Sequence, residues 1–286
     1  MISVVVPAFN EKDAIVGTID EIRKMLDGAG WSDAEIVIVD DGSTDGTADR
    51  AEAAGARVIR HPTNGGYGRA LKSGISAASH PIVAITDADG TYPIARIPEL
   101  KAMLDRGFHM AVGARQGAAY RESAIKHPLR VLLRWLVEFT AGQRIPDPNS
   151  GLRVFYRDEI VTFFPQLSNA FSFTTSSTLA YMLTGRFVVY LPIDYAERTG
   201  VTKVRLLRDS LRTLQYILQA ILFYNPLKLF LVVLAVLTAA GAASISAGIA
   251  LSCGWLTTLG VGFWLSIVPV GAIGCLAEVV RQGRRN

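Results

Sequence analysis

Three acidic clusters stand out by residue type and spacing. The first is Asn10-Glu11, which follows the apolar run Val4-Val5-Val6-Pro7-Ala8-Phe9. The second is Asp40-Asp41-Gly42-Ser43-Thr44-Asp45-Gly46-Thr47, and the third is Asp87-Ala88-Asp89-Gly90. One such cluster after a strand is ordinary turn chemistry, because Asp and Gly favour turns. Three on one edge of one sheet would gather carboxylates around a crevice, where their repulsion calls for a cation or hydrogen-bond donors. In Asp87-Ala88-Asp89 both side chains can approach one ion. Hard oxygen ligands suit Mg²⁺ or Mn²⁺, and such an ion can grip a diphosphate and neutralise charge on a departing one. Asn64-Gly65-Gly66-Tyr67-Gly68-Arg69-Ala70-Leu71-Lys72 is a glycine-rich loop opening a helix. A loop of that kind lets backbone N–H groups approach a phosphate or base. Its spacing matches neither a P-loop nor a dinucleotide fingerprint.

The elements that must position these residues alternate. Strands are expected at Ile2–Phe9, Glu35–Asp40, Arg57–Arg60, Pro81–Thr86 and His109–Gly113. Helices are expected at Asp13–Ala29, Thr47–Ala54, Gly68–Ala78 and Pro93–Arg106. Continuous apolar strands between amphipathic helices predict a mostly parallel sheet covered on both faces. Ligands of such sheets bind outside the carboxyl ends of the strands, where the acidic clusters fall. Further along, Ala124–Ala141 reads as a helix, Gly151–Tyr156 as a strand, Thr174–Thr184 as a helix and Phe187–Ile193 as a strand.

The C-terminal third differs in kind. From Leu229 to Ala277 there is no Asp, Glu, Lys or Arg. A bilayer span needs about 20 apolar residues, so two spans are expected, 227–251 and 256–279, with a turn around Ser252 to Gly260. Lys228 precedes the first span, and Arg281, Arg284 and Arg285 follow the second. By the positive-inside rule both termini and the N-terminal domain face the cytoplasm, and Met1 runs into Ile2-Ser3-Val4 without a signal-peptide pattern. Arg205–Phe223 carries apolar residues on one face and Arg205, Arg208 and Arg212 on another, the pattern of an amphipathic helix at the membrane surface. The expected divisions are residues 1–204, 205–224 and 225–286.

The formal charge of +4 and sequence pI of about 9.1 suit an anionic leaflet. Basic residues are scattered among acidic ones, which argues against nucleic acid as a partner. Cys253 and Cys275 both lie in the apolar run and read as neither disulfide nor metal site. A homo-oligomer is compatible with the sequence.

Taken in order, these motifs resemble the family 2 inverting glycosyltransferases of the GT-A fold. Within them the chain is most similar to the dolichol-phosphate mannose synthase and polyprenyl-phosphate glycosyltransferase group. The resemblance covers about residues 2–205. It rests on Val5 to Glu11, Val39 to Thr47 and Thr86 to Gly90, with Asp147-Pro148-Asn149-Ser150-Gly151-Leu152-Arg153 and Glu197-Arg198-Thr199-Gly200-Val201-Thr202-Lys203. It implies a GT-A, Rossmann-like α/β domain that transfers a hexose from a GDP- or UDP-sugar to undecaprenyl or dolichyl phosphate, with inversion and a bound Mg²⁺ or Mn²⁺. Pro7, Ala8, Asn10, Glu11, Asp40, Asp41, Lys72, Asp87 and Ala88 are then the donor-binding positions, and Asp87 and Asp89 the metal ligands. Asp89, Asp147 and Arg198 are the catalytic positions, Asp147 orienting the acceptor or shielding the anomeric centre. Arg115, Arg198 and Lys203 meet the acceptor phosphate. The glycine-rich loop departs from the basic form common in the mannose synthases. Two competing readings are a family 2 transferase acting on another membrane acceptor, such as a diacylglycerol or lipid-linked glycan, and a non-catalytic nucleotide-binding scaffold.

Overall fold

In the computed structural model, residues 1–116, 127–196 and 206–283 are described. The β-branched run at the N-terminus forms β1 (Ile2–Ala8), buried along its whole length, as expected of a parallel strand covered on both sides. Alternating elements follow: α1 (Ile15–Gly28), β2 (Glu35–Asp40), α2 (Thr47–Ala53), β3 (Arg57–Arg60), α3 (Tyr67–Ala77), β4 (Ile82–Ile85), α4 (Ile97–Asp105) and β5 (Met110–Gln116). After them come α5 (His127–Ala141), β6 (Arg153–Tyr156), α6 (Arg157–Thr162), α7 (Phe173–Leu183) and β7 (Val188–Asp194). A short 3₁₀ turn at Ile94–Arg96 precedes α4.

The seven strands form one sheet in the order β3-β2-β1-β4-β6-β5-β7. All neighbours are parallel except β6, which runs antiparallel to both β4 and β5. The strands were expected; the reversed direction of β6 and its insertion between β4 and β5 were not, because a four-residue apolar run carries no directional signal. The reversal matters for the site. Arg153 at the start of β6 pairs with Ile85 near the end of β4 and with Val112 of β5. The loop before β6 therefore arrives at the same edge as the carboxyl ends of the parallel strands.

Both sheet faces are covered. On one, Ile2, Val4 and Val6 of β1 pack with Ile15, Ile19, Ile22 and Leu26 of α1 and Ile97, Leu100 and Leu104 of α4. On the other, α3 lies so close to the sheet that a Cβ on Gly74 would overlap Val5 Cγ1 and come within 2.8 Å of Val39 Cγ2. Only a residue without a side chain permits that approach.

The chain divides into two compact units, Met1–Ile217 and Leu218–Asn286. The division falls inside α8 (Leu206–Tyr224), within the segment read as an interfacial helix. The second unit contains α9 (Pro226–Ala250), α10 (Gly254–Leu265) and α11 (Ile267–Gly283). Pro226–Ala250 and Gly254–Gly283 are long and apolar enough to cross a membrane. The break at Ser266 has a cause in Pro269, which cannot donate to the carbonyl four residues earlier and crowds it. Gly260 packs directly on the Gly241 carbonyl, and a Cβ there would lie 2.7 Å from it, so α9 and α10 meet backbone to backbone.

Candidate active site

The carboxyl ends of β2, β1 and β4 are adjacent, and the first two acidic clusters form one knot around them. Ala8 pairs with Asp40, and its carbonyl accepts the Asp41 N–H at 2.8 Å. Asn10 takes a left-handed conformation, φ 51°. Its N–H donates to Ser43 Oγ at 2.9 Å, and its side-chain Oδ1 accepts the Thr44 N–H at 2.9 Å. The Glu11 N–H donates to Thr47 Oγ1 at 2.9 Å, and the Glu11 carbonyl accepts the first amides of α1. Asn10 and Glu11 thus fix the two loops against each other, beside Pro7 in β1.

Asp40 is 4% exposed. Its Oδ2 accepts the Ser43 N–H at 3.2 Å, while Oδ1 is buried without a hydrogen-bond partner among the described residues. An unsatisfied buried acceptor costs about 1–3 kcal/mol, more when charged, so this oxygen is a ready acceptor for a donor on a ligand.

Asp41 has a different part. Its Oδ1 accepts from Gly65 N–H at 2.9 Å and lies 2.7 Å from His61 Nδ1, and its Oδ2 accepts from Gly66 N–H at 2.8 Å. The Gly65 and Gly66 amides are therefore engaged by Asp41, and for these two the expectation that they approach a phosphate or base is corrected. The glycines serve close packing instead: a Cβ on Gly66 would lie 2.7 Å from the Asn169 carbonyl, and one on Gly68 would overlap that of Ser168. Lys72 anchors the same neighbouring segment, donating to the Leu167 carbonyl at 2.6 Å and Asn169 Oδ1 at 2.7 Å. Desolvation lowers its ammonium pKa.

The third cluster follows β4. Tyr67 Oη donates to Asp87 Oδ1 at 2.9 Å. The Ala88 carbonyl accepts from Thr18 Oγ1 of α1 at 3.0 Å. Asp89, 8% exposed, accepts the Thr91 hydroxyl at 2.6 Å and the Thr91 N–H at 3.2 Å, both on Oδ1. Among the described residues no group of three or more His, Cys, Asp or Glu converges. Asp87 and Asp89 offer hard oxygen donors, the ligand type that suits Mg²⁺ or Mn²⁺.

Beyond β4, the loop 147–152 enters the edge. Asp147 is 1% exposed and accepts from Arg115 Nε at 2.7 Å, Arg115 Nη2 at 2.9 Å and the amides of Arg115 and Asn149, each at 3.2 Å. Burial alone would raise this carboxyl, but the Arg115 charge and the N–H donors outweigh it and hold the group below its ordinary value. The Arg115 guanidinium lies over the Tyr195 ring at 5.3 Å, and Tyr195 meets Tyr92 edge to face. Tyr92 Oη accepts the Gly151 N–H at 2.7 Å. Beneath the loop, Arg153 is fully buried. Its Nε and Nη2 donate to the Ser150 and Pro148 carbonyls, both at 2.8 Å, and its Nη1 donates to Ser177 and Thr178 hydroxyls of α7. The Ala196 N–H donates to the Thr91 carbonyl at 3.0 Å, so the described chain leaves β7 beside the Asp89 turn. Arg198 and Lys203 lie outside the described residues.

Asp40, Asp87 and Asp89, with Arg115 and Asp147, therefore share one sheet edge. Sequence reasoning assigned no role to Tyr67, Tyr92 or Arg153. Arg153 stands inside a quoted motif, and Tyr67 and Tyr92 stand in or beside one.

Residues 3–164 match glycosyl transferase family 2. The chain is 30% identical over 204 residues to a dolichyl-phosphate hexose transferase of Haloferax volcanii, covering 71% of this chain and 86% of that one. It is 31% identical over 251 residues to an undecaprenyl-phosphate 4-deoxy-4-formamido-L-arabinose transferase of Klebsiella pneumoniae, covering 80% and 69%. Among solved structures, glucosyl-3-phosphoglycerate synthase from Mycobacterium tuberculosis, in complex with Mn²⁺, uridine-diphosphate and phosphoglyceric acid, aligns with TM-score 0.60 and 26% identity, covering 77% of this chain and 78% of that one.

Proposed function

The chain belongs to glycosyl transferase family 2, and on that premise we propose that it moves a hexose from a nucleotide-sugar onto the phosphate of a polyprenyl lipid, with inversion. The observation that carries this reading is the shared edge: a buried, unpartnered Asp40 oxygen on one side of β1 and the Asp87–Asp89 pair on the other. Neighbouring strands are about 4.8 Å apart, so a nucleoside and its diphosphate can bridge them. Asp40 Oδ1 accepts an N–H of the base, which both uracil and guanine offer. Asp87 and Asp89 would hold Mg²⁺ or Mn²⁺, which would neutralise charge on the departing diphosphate.

The acceptor needs no strong base, because a phosphate monoester, with a second pKa of about 6, is already anionic at neutral pH. Asp147 suits orientation better than proton transfer: it is buried, ionised and locked to Arg115. Its part is to hold Arg115 and the loop 147–152 in place, with Arg115, Arg198 and Lys203 meeting the acceptor phosphate.

The apolar helices support a membrane acceptor. We assign Pro226–Ala250 and Gly254–Gly283 as two spans with both termini cytoplasmic, and α8, whose Leu211, Leu218 and Leu222 are exposed, as an interfacial helix. A domain held at the bilayer meets a lipid phosphate at high effective concentration.

The test is transfer of radiolabel from GDP- and UDP-sugars to undecaprenyl or dolichyl phosphate, with diacylglycerol as competitor. Label in the polyprenyl phosphate fraction is the expected result. Label in diacylglycerol, or nucleotide binding without transfer to any lipid, refutes the proposal.

A further inference from the structure

The glycine-rich loop carries one aromatic residue, Tyr67. Gly65 and Gly66 donate their amides to Asp41, and the Arg69 N–H of α3 donates to the Asn169 carbonyl. With Gly66 and Gly68 pressed against the backbone at 168–170, the loop is fixed in position. From that fixed base Tyr67 projects to Asp87. Its ring stacks on Phe171 at 5.7 Å between centroids and 11° between planes, and its hydroxyl donates to Asp87 Oδ1 at 2.9 Å. Gly151 lies against the same carboxylate: a Cβ there would come 2.9 Å from Oδ1 and 3.1 Å from Oδ2.

We propose that Tyr67 is a positioning residue: its hydroxyl, carried by the glycine-rich loop, orients Asp87 for a divalent cation and the nucleotide diphosphate. The inference rests on the reading of Asp87 and Asp89 as the metal-binding pair. Groups that orient a metal ligand through a hydrogen bond commonly contribute ten- to a hundredfold to metal affinity or activity. A hydroxyl donated to a carboxylate also fixes which oxygen faces the ion.

The experiment measures binding of UDP and of GDP to the full-length, detergent-solubilised chain by calorimetry, with and without Mn²⁺. In the wild type Mn²⁺ tightens nucleotide binding. Tyr67→Phe keeps the ring and its stack on Phe171 but loses the hydroxyl. It is expected to cut the Mn²⁺-dependent gain about ten- to a hundredfold while leaving metal-free nucleotide affinity unchanged. Phe171→Leu removes the stack, retains the phenol, and is expected to keep most of the gain. An undiminished Mn²⁺ gain in Tyr67→Phe overturns the proposal. So does an equal loss with and without Mn²⁺, which marks a packing role, or a larger loss in Phe171→Leu. A wild type without any Mn²⁺ gain overturns the metal-pair reading itself, and that outcome is visible before either variant is made.

Discussion

Replacing Asp147 with Asn tests the acceptor-side geometry at its most constrained point. The carboxylate accepts four N–H groups, three of them from Arg115. Asn keeps one oxygen and puts an NH₂ donor where the other stood, so at least one Arg115 N–H faces another donor and the guanidinium loses its counter-charge. Removing one partner of a buried ion pair costs about 3–5 kcal/mol. The Arg115 side chain is 16% exposed and can be partly rehydrated, which brings the figure to about 2–4 kcal/mol. For a unit of this size that is a fall in melting midpoint of roughly 4–16 °C. The pH dependence has a definite sign. Asp147 titrates below its ordinary value in the folded chain and at about 3.9 in the unfolded one. Its contribution is therefore complete above the unfolded value and is lost as pH falls through the folded one. The assay is fluorescence-detected melting of solubilised wild type and variant between pH 7 and pH 3. The difference between them should be flat above about pH 5 and shrink below about pH 4. A variant melting within about 2 °C of wild type at pH 7, or a difference unchanged at pH 3, refutes the reasoning. Adding Arg115→Gln should recover part of the loss, because the stranded charge goes with it.

Asp89→Ala should reduce sugar transfer by at least about a hundredfold while circular dichroism shows a folded chain; near-normal turnover with polyprenyl phosphate counts against Asp89 as a metal ligand. Asp40→Asn, which removes the charge from the orphaned acceptor, should weaken kcat/KM for the nucleotide-sugar about tenfold or more, with acceptor KM unchanged. Gly74→Ala drives a methyl into Val5 and Val39 and should destabilise the N-terminal unit by about 1–3 kcal/mol without changing substrate KM; a chemical-denaturation midpoint equal to wild type sinks that account. Tags placed before Met1 and after Asn286 should respond alike to protease added to sealed inverted vesicles, both being cut, if the two spans run as assigned.

The strands and the acidic edge were legible because both signals are local. A run such as Ile36-Val37-Ile38-Val39 is apolar on both faces, and a parallel sheet ends its strands where ligands bind. The two apolar helices were legible because charge is excluded over their whole length. What the sequence hid depends on partners far apart in the chain. Nothing near Gly68 announces that its neighbour is the carbonyl of Ser168, so a loop built for close packing read as a phosphate cradle. Nothing near Asp41 says that its oxygens face Gly65, Gly66 and His61 rather than a ligand. Arg153 entered only as the end of a quoted motif, yet it is enclosed by Ser177, Thr178 and the carbonyls of Pro148 and Ser150. Close packing at Gly68, and the partners that Asp41 and Arg153 find 20 or more residues away, are contacts that periodicity cannot report.

The reversed strand β6 brings the loop that precedes it to the same edge as the acidic clusters. Its direction delivers the loop 147–152 beside Asp87, with Gly151 against the carboxylate and Ser150 Oγ donating to the Gly113 carbonyl of β5. On the proposed reading the donor and acceptor sides meet at one seam, between β4 and β5, with Asp40, Asp87 and Asp89 on the donor side and the Arg115–Asp147 ion pair on the acceptor side. Adding a diphosphate and a lipid phosphate to such a site is strongly opposed unless further positive charge enters. On the proposed reading a divalent ion answers the donor half. The acceptor half then falls to Arg198 and Lys203, in the stretch that follows Ala196, and Ala196 is tied by its amide to Thr91 in the Asp89 turn.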